Sequence, residues 1–260
     1  MKQLPVLALL TLLFVSLSAI AAAETPRKVD TSKAVPSDAV VIFNGKNTDM
    51  LVGPNGEPCR WEVKDSVLVC RTIKGKRQRG LWTKLHFRDA QIHVEFRVPK
   101  TNRKGEAAGN SGLYFHGLFE QQILNSYGNP SKPITMNGAL YKIRPPLVNA
   151  SRKTGEWQTY DIIYHAPRRD SAGKPTKPGS FTTLLNGVLV QDHVEVTKRV
   201  STYAPLYYRA TPYAKKILAS LNRTESGPLQ LQDHGNPVEF RNIWIRPLDN
   251  KSHVFDDKQK

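Results

Sequence analysis

The sequence predicts an all-β protein whose strands stack as two antiparallel sheets. Three observations carry that reading. Short runs rich in Val, Ile, Phe and Tyr recur along most of the 260 residues, and only one stretch of helix formers interrupts them. In the run 91–98, Ile92, Val94, Phe96 and Val98 alternate with Gln91, His93, Glu95 and Arg97, the period of a strand with one buried face. Asn186-Gly187 separates Leu184-Leu185 from Val188-Leu189, and both turn residues accept the positive φ of a two-residue hairpin. About a dozen strands in one chain imply two sheets face to face, because a single open sheet buries only one side.

The elements follow in order. Lys2 precedes an apolar run over 4–20, and Ala21, Ala22 and Ala23 form a small-residue cleavage site, so 1–23 read as a signal peptide and the protein as periplasmic or extracellular. Residues 24–37 mix Pro, Ser, Thr and charge without periodicity and read as a flexible lead-in; 38–248 form the domain, and 249–260 a flexible tail. Strands are expected at Val40–Phe43, 67–70, 91–98, 112–116, 119–124, 139–143, Trp157–His165, 181–185, 188–192, 228–232 and 238–245. A short helix is expected over 213–221, inside a Tyr- and Pro-rich insertion spanning 198–225. No run after the first is long enough to span a bilayer.

Two cysteines, Cys59 and Cys70, flank a hairpin-like stretch over 61–69 that turns at Lys64, Asp65 and Ser66. In an exported chain they either oxidise to a cross-strand disulfide or stay free, since geometry decides which pairs can bridge. Charge is strongly one-sided: 38 Lys and Arg face 22 Asp and Glu, a net +16. The bias concentrates in 71–104, with Arg71, Lys74, Lys76, Arg77, Arg79, Lys84, Arg88, Arg97, Lys100, Arg103 and Lys104. These charges fall mostly between strands rather than along one helix or an aromatic-studded sheet, and export separates the chain from cytosolic nucleic acid. A solvated face, or one drawn to anionic polymers, suits them better than a nucleic-acid site.

Polar residues at strand periodicity mark the candidate site. In 119–125, Glu120, Gln122 and Leu124 share one face and Phe119, Gln121 and Ile123 the other, so an ionisable group would be costly to bury there unless partnered. Asn110 leads into the preceding strand, where Tyr114 and His116 fall on one face, and His116 can act as acid or base near neutrality. Gln230, Gln232 and His234 alternate along a third strand, with Asp233 beside His234. Nucleophile elbows, phosphate loops and paired-His metal motifs are missing from the sequence, which identifies no cofactor; a calcium site of loop carbonyls and carboxylates stays open.

The ordered set Phe43-Asn44-Gly45-Lys46, Trp61-Glu62-Val63, Phe87-Arg88-Asp89-Ala90-Gln91, Val94-Glu95-Phe96-Arg97, Asn110-Ser111-Gly112, Phe119-Glu120-Gln121-Gln122, Gly155-Glu156-Trp157, Tyr160-Asp161-Ile162, Asn186-Gly187-Val188, Leu231-Gln232-Asp233-His234-Gly235 and Val238-Glu239-Phe240-Arg241-Asn242-Ile243-Trp244 resembles the 3-keto-disaccharide hydrolase domain family. The resemblance covers 39–247 and implies a concanavalin-like jelly-roll sandwich, related to that of laminarinases, acting on sugars whose C3 hydroxyl has become a ketone. Asn125 stands where the family often has Asp, and the 198–225 insertion is long for it.

Laminarinase-type retaining chemistry needs two carboxylates close together, and the corresponding strand here supplies only Glu120. A C3 ketone instead acidifies the C2 proton, so one base can start a β-elimination of the C1 substituent, with water added afterwards. Glu120 or His234 is then the expected base, with Arg144 or a cation stabilising the enolate. Asn110, Tyr114, His116, Gln122, Tyr141, Gln232 and Asp233 complete the expected carbohydrate-binding set. The competing reading is a non-catalytic, lectin-like module stacking sugars on Tyr114, Tyr141 or Trp157. A weaker third is a surface protein anchored by its charge.

Overall fold

In a computed structural model of the chain, described here for residues 35–70, 80–101, 109–170, 175–197 and 211–258, two antiparallel sheets pack over one core. The expected signal peptide, residues 71–79 and 102–108 of the basic run, and 198–210 of the insertion lie outside the described residues.

The larger sheet has eight strands, ordered β13 (Val188–Val196), β12 (Gly179–Leu185), β9 (Trp157–His165), β6 (Ala90–Arg97), β15 (Glu239–Pro247), β4 (Val67–Val69) and β3 (Glu62–Lys64), with β1 (Val40–Phe43) also on β15. The smaller has six: β16 (His253–Val254), β5 (Leu81–Phe87), β14 (Gly227–Leu231), β7 (Ser111–Phe115) and β8 (Phe119–Ile123), with β2 (Leu51–Val52) sharing the outer edge of β5. β10 (Arg168–Arg169) and β11 (Pro175–Lys177) form a separate pair. This is the expected jelly-roll sandwich.

Strand periodicity builds the core. Ile92, Val94 and Phe96 of β6 face Leu113 and Phe115 of β7, Phe119 and Ile123 of β8 and Leu229 and Leu231 of β14, all fully buried. Ring contacts among Phe115, Tyr164 and Phe181, edge-on between the two phenylalanines and tilted at Tyr164, pack where the sheets meet. The Asn186-Gly187 turn forms as read, with φ 56° and 76°; the second turn is tighter than expected, Asp65 and Ser66 taking 50° and 62° while Lys64 still pairs with Val67 in β3.

The structure departs from expectation at three points. Residues 139–143 are not a strand: Leu140 bridges both Gln121 and Arg144, so the segment runs beside β8 and doubles back at Lys142, φ 58°, before Pro145 and Pro146, which have no N–H for a ladder. The central strand β5 went unread, because burial on both faces erases its alternation. The tail is not free at 249–258. It adds β16 to β5 and lays Phe255 flat on His86, ring centroids 4.5 Å apart. Of the two alternatives for the cysteines, the reduced one holds: Cys59 and Cys70 are free thiols.

The helix forms where expected and runs longer, as α1 (Pro212–Thr224), with Thr211 accepting from the Ala214 N–H as its N-cap. Its apolar side, Tyr213 and Ile217, covers Val52 and Trp82 on the outer face of the smaller sheet. No helix among the described residues is long and apolar enough to cross a membrane.

Candidate active site

The site grows from the outer face of β14, β7 and β8. Because Leu113, Phe115, Phe119 and Ile123 must point into the core, the alternate positions point away, and the register sets Tyr114 opposite Glu120 and Gly112 opposite Gln122. On the other side Tyr114 stands opposite Gln230, and Gln230 opposite Trp82. A transverse row therefore runs Trp82, Gln230, Tyr114, Glu120 across four strands counted from β5. Gln232, Gly112 and Gln122 make the next row, with the Gln232 N–H bonded to the Gly112 carbonyl.

Glu120 is 4% exposed, and the Tyr114 hydroxyl donates to its Oε2 at 2.6 Å. The Gln232 amide donates to that same hydroxyl oxygen at 3.3 Å. Gly112 makes room beneath the carboxylate: a β-carbon there would lie 2.5 Å from Glu120 Oε1. Glu120 is the only carboxylate on this outer face among the described residues.

One wall is the irregular segment over 124–151. The Tyr141 N–H bonds the Glu120 carbonyl, and the Gln122 N–H bonds the Ala139 carbonyl, so this segment completes the free edge of β8. It is latched from the core side by Tyr160, whose hydroxyl donates to the Gln122 carbonyl at 2.5 Å and accepts from the Gly138 N–H at 2.7 Å. Burial pushes the Tyr160 phenol well above its ordinary pKa, so it keeps that proton. Gln191 adds a bond to the Gly138 carbonyl at 2.8 Å. At the opposite end of the first row, α1 packs over Trp82.

Of the expected site residues, the fold gathers Tyr114, Glu120, Gln122, Tyr141 and Gln232, with Asn110 buried just before β7. Gln122 is partly committed, donating to the Thr135 carbonyl at 3.2 Å. Asp233 faces the other way. Its carboxylate accepts from the Gly235 N–H at 2.8 Å and, with burial, raises the Cys70 thiol far above the usual range. His234 is half-buried on the turn beyond β14, and Arg144 is exposed on the doubled-back segment.

His116 is not in the site. Its left-handed backbone, φ 53°, breaks the alternation and turns the ring inward between Phe87 and Tyr164, where burial lowers its pKa to about 4. Trp157 is equally unavailable for stacking on a sugar. It lies on the outer face of the larger sheet, with the guanidinium carbons of Arg97 and Arg241 at 4.8 and 4.0 Å from its ring centre. Gln230, marked by its alternation with Gln232, lies in the row, and Gly112 is the site element that the sequence does not reveal. The alternation that marked Gln232 also marks Gln230, whereas the role of Gly112 depends on cross-strand register.

A second buried charge cluster lies on the far face of the larger sheet. His93 Nδ1 is 2.7 Å from Asp161 Oδ1, Glu95 accepts from Arg241 at 2.7 Å, and Asn242, at a bulge with φ 45°, bonds Glu95 at 2.9 Å. Burial opposes the His93 charge, but the Asp161 and Glu95 carboxylates outweigh it and push its pKa up to about 9. Burial likewise opposes the Glu95 charge, yet its bonds from His93, Asn242 and Arg241 bring it down to about 2. Among the described residues, no three His, Cys, Asp or Glu side chains converge to hold a metal.

A β-sandwich with one carboxylate set among amides on an outer sheet face belongs with the carbohydrate-active hydrolases and lyases, and the relatives agree. The chain is a member of the 3-keto-alpha-glucoside-1,2-lyase-like domain family, whose model matches residues 38–246. It is 35% identical to a "putative glycosyl hydrolase" from Parabacteroides distasonis ATCC 8503, over 82% of this chain and 85% of that one, with a TM-score of 0.65. A second protein of that description from the same organism, 19% identical over 83% of this chain and 99% of that one, has a TM-score of 0.52 and shares the fold. No curated protein matches the sequence.

Proposed function

We propose that the protein is an exported enzyme that cleaves 3-keto-glycosides by proton abstraction at C2, with Glu120 as the base. The observation that carries this is Glu120, a buried carboxylate hydrogen-bonded to Tyr114 at 2.6 Å on a strand face whose other polar positions include Gln122, Gln230 and Gln232. Direct hydrolysis asks for a second carboxylate across the scissile bond, and the candidate on the neighbouring strand end, Asp233, is turned away and bonded to Gly235. A single base suffices once C3 is a ketone.

In that reaction Glu120 takes the C2 proton and the electron pair of the C–H bond forms the enolate. The enolate collapses to a C1–C2 double bond as the C1–O bond breaks, and the departing oxygen takes the proton from Glu120. Water then adds, its hydroxyl at C1 and its hydrogen at C2, so the net change is hydrolysis. The amides of Gln122, Gln230 and Gln232 are donors of the kind that hold sugar hydroxyls. The apolar run at 4–20 ahead of Ala21, Ala22 and Ala23 supports export.

The test is aglycone release from a 3-keto-glucoside and from its unoxidised parent, with and without chelator. Release from the keto compound alone is expected, and Glu120→Gln should lower it by roughly 10²–10⁴-fold while the fold is kept. Unchanged turnover in that variant removes Glu120 as base. Release from neither substrate, with sugar binding intact, makes the protein a lectin-like module. N-terminal sequencing of exported protein should begin near Glu24.

A further inference from the structure

We propose that Tyr114 is the positioning residue of this site: with Gln232 behind it, its hydroxyl keeps the Glu120 carboxylate ionised and laid across Gly112. The proposal rests on Glu120 being the base.

The proton's position follows from elementary chemistry. A phenol titrates near 10 and a carboxyl near 4, so across the working range the hydrogen between Tyr114 Oη and Glu120 Oε2, 2.6 Å apart, belongs to the phenol. Tyr114 donates and Glu120 accepts, and a bond to the ionised form favours that form. The Tyr114 oxygen still has lone pairs, and the Gln232 amide, 3.3 Å away, offers N–H to it. The chain thus runs one way, from the Gln232 amide to the Tyr114 phenol to the Glu120 carboxylate, each donor strengthening the next.

Burial raises the worth of that bond. With Glu120, Tyr114 and Gln232 all at most 5% exposed, water is a poor stabiliser of the charge, so a phenol donating to the ionised carboxylate counts for more here than it would in solvent. The sheet adds the direction. Tyr114 and Glu120 are cross-strand partners, so their backbones set the reach of the bond, and Gly112 leaves the space into which the carboxylate leans. Tyr114 thereby trades some basicity of Glu120 for a fixed orientation and a larger ionised fraction.

The experiment follows the Glu120 carboxyl by NMR in protein made with carboxyl-labelled glutamate, its signal assigned by its loss in Glu120→Gln, together with the pH profile of kcat/KM on a 3-keto-glucoside. Tyr114→Phe should raise both the carboxyl titration and the acid limb of the profile by about one pH unit, the worth of one bond to a charged group. It should lower kcat about tenfold with KM nearly unchanged, the pattern of lost positioning rather than lost binding. Gln232→Leu should move both titrations in the same direction by less, and it decides the matter if Tyr114→Phe does not fold. A carboxyl titration that stays in place in a folded variant overturns the proposal. Wild-type turnover in Glu120→Gln would instead overturn the base assignment, and the NMR titration would still report on Tyr114.

Discussion

At the scale of single residues, the protein places two histidines of opposite character on opposite sides of the core. His86 is fully buried against Phe255, and burial first, then His253 and His116, lower its pKa to about 3. His93, 3% exposed, is instead drawn up to about 9 by Asp161 and Glu95. Unfolded, His93 would titrate near 6.5. Its charge therefore stabilises the fold fully below about pH 6.5, and that contribution fades as pH rises through 9. Denaturant unfolding should lose about 1–3 kcal/mol over that window beyond other effects, and His93→Gln should flatten the curve there. Nothing in the sequence set these residues apart from other polar positions of an alternating strand. His93 was legible as outward-facing, but its partner Asp161 lies on a strand distant in sequence, and only register joins them. The same holds for Tyr114 and Glu120, with the difference that their strands are consecutive, so the pair lay closer to the surface of the reading.

Among the elements, strands with one wet face were readable and those covered twice were not. β6 and β9 alternate with one face towards the core, whereas β5 is buried by the core on one side and by α1 and Phe255 on the other. The doubled-back segment beside β8 carries apolar residues at strand-like spacing, and the prolines behind it decide otherwise. β16 is two residues long, too short for any periodic signal, yet it anchors a clamp: Phe255 packs on His86 and edge-on to Tyr213 of α1, and Lys216 of α1 bonds the Asp257 carbonyl at 2.8 Å. Ending the chain after Asn250 should uncover His86 and loosen α1. We expect a loss of about 2–3 kcal/mol from the apolar area exposed, seen as a lower Tm. Because α1 covers Trp82 at the end of the row that carries Glu120, KM for the sugar should rise as well, whereas an unmoved Tm would show the clamp to be idle.

For the molecule as a whole, one contiguous core joins both sheets, from Ile42 and Phe43 through Phe96 and Phe115 to Ile243, with a small second cluster under α1. Because the main core belongs to both sheets, far-UV circular dichroism and tryptophan fluorescence should report a single, coincident thermal transition, and two separated transitions would contradict the shared core. The sandwich was legible because its pattern is repeated in nearly every strand, and the site only in part, because a site is an agreement between strands. The free thiols carry a last consequence. Cys70 is 1% exposed beside Asp233, and Cys59 is half-buried, its thiol raised first by burial. Thiolate is the reactive form, so both should ignore alkylating reagents until the chain opens, Cys59 yielding first. The protein thus contains its own stopwatch: modification of the two sulfurs, followed by mass spectrometry, times local fraying at one and complete opening at the other.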